Sequence, residues 1–362
     1  MHKYITVKKL LSALLILCLF LPSAMAGLGD EPMHFAASVV SSEKTDKKYD
    51  QFYASGEFSI FIPGLSMDFV PQGMAYYAMG DLVFFTGYSS WQCSSMLLAV
   101  DMNTNEVYKE ILLATVDGEP YTGHAGGVAV TMKNIFISDD GYIYRIPMDD
   151  FFSAAPMDVL AFAEAIPVPC KASYCQIDEG ILWVGEFYYE KDKDFHTDST
   201  HHVNAKDGKN HSWLVGYKLD INTENELSAA AMNSHGAVPD YVLSTTDRIQ
   251  GVTVCNGMIY LSQSYGRTKS STILRYDNVL TSMPNKYVNV FGVQKPLWIL
   301  DSTTEDAKLV APPMTEGLCT IEGKVCVSFE SAATKYREPE DPADGVSVNP
   351  IDRVFMLDPN AF

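Results

Sequence analysis

The feature that most limits what this chain can become is a short glycine-centred unit that returns four times. The copies are Pro71-Gln72-Gly73-Met74-Ala75, Gly126-Gly127-Val128-Ala129-Val130, Gln250-Gly251-Val252-Thr253-Val254 and Glu316-Gly317-Leu318-Cys319-Thr320. A degenerate fifth is Ser173-Tyr174-Cys175-Gln176-Ile177. Repeats of this kind mark folds made of units that cannot bury their own apolar face and must lean on their neighbours. Each copy leads through a turn into a β-rich run, at 82–88, 134–140, 181–187, 258–264 and 324–330. From the glycine to a small residue in that second run the count is eleven in three copies, Gly127 to Ser138, Gly251 to Ser262 and Gly317 to Ser328, and thirteen in the first, Gly73 to Thr86. A held spacing implies a held cross-strand register.

Third strands follow at 97–101, 143–147, 214–220, 273–277 and 354–358, often ending at an aspartate suited to a turn. Outer strands fit at 107–116, 161–168, 241–245 and 298–310, which leaves the last unit one strand short. Residues 58–62, just ahead of the first copy, can supply it. The sequence therefore predicts an all-β, five-bladed β-propeller with four-stranded blades. Its N-terminal strand closes the last blade and so removes an open sheet edge. A six-bladed ring, with one more blade between Tyr188 and Ile249, is the alternative. A helical fold is disfavoured, because the apolar runs are short, β-branched or aromatic and punctuated by glycine.

Lys3, Lys8 and Lys9, the apolar run 10–21 and the small residues up to Ala26 read as a secretory signal peptide over residues 1–26. The run is too short to span a bilayer comfortably. Residues 27–51 are expected to be a flexible leader and 52–362 a single propeller domain with an insertion at 190–211. The expected destination is the periplasm or the medium, for a monomer not inserted in a membrane. The formal charge of -19 grows three units more negative on cleavage near Ala26, and this opposes binding to nucleic acid through phosphates. Export permits disulfides. Cys319 and Cys326 flank a hairpin with Glu322-Gly323 at its tip, which sets them opposite one another at about 5.5 Å, a separation suited to a disulfide. Cys170 and Cys175 form a weaker candidate pair.

In a propeller the starts of the inner strands and the ends of the second strands ring one mouth of the central channel. Candidate ligand contacts at the starts are Gln72, Arg248 and Gln250. At the ends they are Tyr88, Asp139, Tyr265, Arg267 and Glu330, and the insertion brings Trp213 toward the mouth. His124, between Gly123 and Gly126, is a ligand contact or general base, or a structural histidine bonded to a neighbouring blade. Glu186 and Glu316 are candidate acids, with Glu330 and Asp139 as possible partners in glycoside cleavage. The carboxyl separation decides that question, and ion pairs that hold blades together are the other reading. The insertion carries His201, His202 and His211 among aspartates, a ligand set for a divalent metal. Their spacing matches no zinc finger, metalloprotease helix or EF-hand, so a solvated charged loop is the alternative. No nucleophile elbow, phosphate-binding glycine loop or dinucleotide fingerprint is present.

Residues 71–101 and 123–147, with the paired histidines and Asn210-His211-Ser212-Trp213, resemble a group of secreted bacterial β-propeller proteins of unassigned function. That resemblance implies the fold and an exported location, and no activity. Gln72-Gly73-Met74, Thr86-Gly87-Tyr88 and Glu316-Gly317-Leu318 also resemble the five-bladed glutaminyl cyclases, which cyclise N-terminal glutamine with an acid in an aromatic pocket. This second resemblance implies Trp91, Trp183 and Trp213 as pocket aromatics, although the later blades depart from the family's pattern. The leading expectation is a propeller that binds a small-molecule, peptide or glycan ligand at the channel mouth. The alternatives are a transferase or hydrolase using Glu186, Glu316 or His124, and a protein-interaction scaffold.

Overall fold

The computed structural model describes residues 46–67, 69–89 and 93–362. The segment expected as a signal peptide, most of the leader, and Trp91 lie outside them. Five antiparallel sheets form a ring, the arrangement of a five-bladed propeller. The inner strands are Val70–Tyr77, Gly127–Val130, Tyr174–Asp178, Ile249–Cys255 and Thr315–Ile321. Strand Gly56–Phe61 pairs antiparallel with Arg353–Leu357 and completes the fifth blade, as the missing outer strand required. No sixth blade exists between Tyr188 and Ile249. That stretch holds two strands of blade 3 and two small hairpins.

The repeat glycines have a steric cause. A Cβ on Gly73 would lie 2.4 Å from the Val128 nitrogen, and one on Gly127 would lie 2.2 Å from the Cys175 nitrogen. On Gly251 it would meet the Leu318 nitrogen at 2.9 Å, and on Gly317 the Met74 nitrogen at 2.7 Å. Each glycine thus lets its inner strand lie backbone to backbone against the next one around the ring. The constant spacing is a cross-strand pair: Gly73 faces Thr86, Gly127 faces Ser138 and Gly251 faces Ser262. Blade 3 inverts the pattern. Tyr174 stands at the glycine position and Gly185 opposite it, with the tyrosine ring lying where a Cβ on Gly185 would be. That ring joins Ile249 and Val252 in the core between blades 3 and 4. The apolar interior is accordingly a set of layers between blades.

Two strand assignments differ from expectation. The outer strand of blade 4 is Glu305–Ala311, while Trp298 belongs to Val293–Ile299, which runs parallel to Tyr241–Thr245 and widens blade 3. Residues before 52 also join the fold. Lys47–Tyr49 form a 3-10 turn, Asp50–Ala54 a short helix, Tyr49 is fully buried and Phe52 stacks on Phe355 at 4.2 Å.

The cysteine hairpin has the predicted register, with Cys319 directly facing Cys326 across a turn in which Glu322 and Gly323 both have positive φ. The expected disulfide is nevertheless not formed. Both are free thiols, and the Cys319 thiol takes Cys326 as its hydrogen-bond partner. Cys170 and Cys175 are also unpaired, since each thiol turns to a different backbone carbonyl, that of Val184 and that of Phe136.

Candidate functional site

At the mouth where the inner strands begin lies an open bowl of about 550 Å³. Of the residues named from sequence, Gln72, His124, Asp139, Gln250, Tyr265, Arg267, Glu316 and Glu330 line it. Three of these owe their aim to irregular pairing. Register shifts between Pro71 and Gly73, Ile249 and Gly251, and Thr315 and Leu318 each leave one extra residue unpaired. Bulges of this type re-aim a side chain. Here they send Gln72, Gln250 and Glu316 to the floor of the bowl.

Glu316 and Glu330 are side by side on that floor, and the Glu316 carboxyl donates its proton to Glu330. Burial pushes Glu316 well above the usual carboxylate range, and the neighbouring Glu330 charge adds to this. Glu330 is also raised by burial, but hydrogen bonds from Tyr336, Glu316 and Gln72 and the Lys335 ammonium favour its charged form. Tyr336 donates to Glu330 at 2.7 Å, Gln72 donates to the same oxygen at 3.0 Å, and Gln250 donates to Glu316 at 3.2 Å. The result is a carboxyl pair sharing one proton between two glutamine amides. Two carboxyls in hydrogen-bond contact are closer than the separation of about 5 Å or more that glycoside cleavage needs, so this pair is not a glycosidase pair.

His124 is exposed in the bowl, its ring 4.4 Å from that of Tyr88. The walls that crowd it lower its pKa through desolvation, so the imidazole is neutral at neutral pH. Asp139 accepts from the His124 backbone N–H at 2.9 Å and from Tyr121 at 2.5 Å, which fixes the loop that carries the ring. Tyr88 stands behind the lining and takes a hydrogen bond from Lys335 at 2.7 Å.

Other predicted residues lie elsewhere. Glu186 is 1% exposed and accepts from His201 Nδ1 at 2.7 Å, the Trp213 N–H at 2.9 Å and the Lys171 N–H at 3.1 Å. It anchors the insertion and is turned away from the bowl. Trp213 is buried beneath His201, with ring centroids 3.8 Å apart. Arg248 has φ of 65° and shapes the approach to its inner strand through its backbone, as Ala125, Ala172 and Met314 do with positive φ in blades 2, 3 and 5. The three insertion histidines do not converge on a metal. His201 binds Glu186, His211 binds Asp247 at 2.9 Å and stacks on Tyr188, and His202 meets Thr197. Among the described residues no group of three His, Cys, Asp or Glu side chains is arranged to hold a metal ion.

Several residues of the bowl escaped the sequence reading. Phe187 and Phe195 line it beside Tyr265. Tyr336 lines it from the connection between the second and third strands of blade 5, which belongs to no repeat, and the adjacent Lys335 stands against Tyr88 behind the lining. The neighbouring Glu186 was visible at its strand end, whereas Phe187, one step further, lines the bowl. A second cavity of about 240 Å³ between blades 3 and 4 holds Asp207 and Asp301, but nearby backbone N–H groups already satisfy both carboxylates.

No protein-family model matches the chain, and no curated protein does either. Solved structures with a similar fold include the Myxococcus xanthus glutaminyl cyclase, at 10% identity and a TM-score of 0.41, covering 81% of this chain and 91% of that one. A luciferin-regenerating enzyme matches at 9% identity and a TM-score of 0.39, covering 84% and 94%. Kuenenia stuttgartiensis hydrazine synthase matches at 11% identity and a TM-score of 0.35 over 73% of this chain, which spans only 57% of that one. At these identities the likeness concerns the fold alone.

Proposed function

We propose that this propeller acts in the periplasm or the medium, where it binds a small or extended polar ligand in the bowl. The observation that carries this reading is the Glu316–Glu330 pair, held by Gln72, Gln250 and Tyr336 on the floor of an open cavity. Burying two carboxyls costs stability that an apolar floor would not, and strongly perturbed carboxyls in a cleft are the mark of a functional site. The basic and apolar start of the chain supports export. The test is a thermal-shift screen of small amides, short peptides and neutral saccharides on the wild type and Glu330→Gln. At least one class should raise the wild-type Tm and leave the variant unmoved. If no class moves the wild type, the bowl is not a ligand site.

A second reading, a propeller enzyme, is favoured by one observation: His124 and Glu316 are shifted in opposite directions inside one cavity. A base kept neutral and an acid kept protonated form an acid–base assignment. Turnover of a glutaminyl 2-naphthylamide, abolished in both His124→Asn and Glu316→Gln, would support cyclase-like chemistry. Undiminished turnover in the variants would remove it.

A further inference from the structure

Resting on the reading of the bowl as a binding site, we infer that its ligand is a neutral saccharide, seated with one apolar ring face on an aromatic wall and its hydroxyls on the Glu–Gln floor. The wall is made by Phe187, Phe195 and Tyr265. Phe187 lies 5.2 Å from Phe195 and 6.0 Å from Tyr265, and Tyr189 backs Tyr265 at 4.0 Å. Phe195 is 38% exposed on a polar insertion, although an exposed phenylalanine gains nothing from water. The insertion holds it at the rim, where Lys171 Nζ donates to the Asp194 carbonyl at 2.7 Å. Phe195 stands edge-on to Phe187 at 75° and to Tyr265 at 74°, so the wall is an angled aromatic corner whose exposed Phe195 ring offers an apolar face to the C–H face of a sugar ring.

The floor offers what a polyol needs. Gln72 uses its amide N–H groups on the Pro71 carbonyl and on Glu330, so its amide oxygen is left as an acceptor with no hydrogen bond among the described residues. Gln250 likewise donates to Glu316 and keeps its oxygen. Planar side chains that both give and take hydrogen bonds match vicinal hydroxyls, which do the same. Charge points the same way. The floor pair shares a proton, and Asp139, Asp140 and Asp194 on the walls are set against Lys171 and Arg267 there and Lys335 beside Tyr88. Neither sign dominates, which disfavours both a phosphate and a polyamine.

The experiment is isothermal titration of the full mature protein with glucose, galactose, xylose and their β-linked disaccharides. Glycinamide, putrescine and inorganic phosphate serve as comparators, and Phe195→Ala and Glu330→Gln as variants. At least one saccharide should bind. Phe195→Ala should bind it about three- to tenfold more weakly, with an unchanged Tm because the ring is exposed, and Glu330→Gln should weaken it further. Binding of a comparator with no saccharide bound would overturn this inference and leave the bowl a ligand site. Silence from every probe would overturn both. Saccharide binding unaffected by either variant would place it outside the bowl and overturn the inference as well.

Discussion

The side-chain amide of Gln176 donates to the Leu318 carbonyl at 2.7 Å, tying the inner strand of blade 3 to that of blade 5 across the propeller axis. The same nitrogen reaches the Met74 carbonyl of blade 1 at 3.0 Å. Gln176 is 4% exposed, so the channel is stoppered at this level and the bowl above it has a floor. Replacing it with leucine keeps the volume and strands two buried carbonyls, each worth about 1–3 kcal/mol when left unsatisfied. Gln176→Leu should therefore lower stability by about 2–6 kcal/mol by that arithmetic, read as a lower urea midpoint at unchanged slope. An unmoved midpoint would mean that the three strands do not depend on the stopper.

The glycines make a second, position-specific prediction. Gly127→Ala puts a Cβ 2.2 Å from the Cys175 nitrogen, and neither backbone can yield without parting two blades. A loss of at least about 3 kcal/mol is expected, at the top of the range for overpacking. Gly180→Ala is the control. It has φ of 74° but nothing within 4 Å, and it should cost only about 1 kcal/mol. Equal losses from equilibrium denaturation would remove the steric account of the repeat.

These two cases show what the sequence displays and what it hides. The glycine repeat is legible because close approach of strands demands a residue without a side chain, and that demand recurs with each blade. Gln176 is hidden because it belongs to the degenerate copy, where Tyr174 and Gly185 exchange the roles held elsewhere by glycine and a hydroxyl residue. Gln72, Gln250 and Glu316 were recognisable at their strand starts, but the bulges that turn them into the bowl leave no mark in composition. Lys335 and Tyr336 lie outside any repeat, and spacing arguments do not reach them. Glu186 was misread for the opposite reason. Its strand position predicts the mouth, while the insertion that follows supplies His201 and draws the carboxylate away.

The shared proton predicts how stability varies with pH. Glu316 is raised above its ordinary value of 4.5 in the folded state, so the folded protein binds more protons than the unfolded chain above that pH. Its contribution is complete below about pH 4.5 and is lost as pH rises toward the folded pKa, at up to about 1.4 kcal/mol per pH unit. Glu316→Gln keeps the shape, donates to Glu330 permanently and removes the titration. The variant should match the wild type near pH 5 and exceed it near pH 8 in urea midpoint. Asp178, raised to about 7 by burial, gives a slope of the same sign in both proteins, so the difference between them isolates the Glu316–Glu330 pair. Parallel pH profiles would show that the pair does not hold a proton.

The insertion is anchored on one carboxylate. Glu186 receives three hydrogen bonds, one from the backbone N–H of Lys171 ahead of the inner strand of blade 3, one from that of Trp213 just after the insertion, and one from His201, which lies flat on Trp213. Glu186→Ala leaves those donors buried without an acceptor, a loss of about 3–5 kcal/mol. Because Phe195 is carried by the same segment, the loss should fall on the bowl's aromatic wall as well as on global stability. Limited proteolysis should cut the variant within residues 190–211 at protease levels that spare the wild type, and Trp213 emission should shift to the red as its cover lifts. His201→Ala should do the same more weakly, since the two backbone N–H groups still hold Glu186. Both effects should be identical with and without a chelator. Susceptibility of the wild type that appears only after chelation would instead restore a metal to the insertion and remove Glu186 as its anchor.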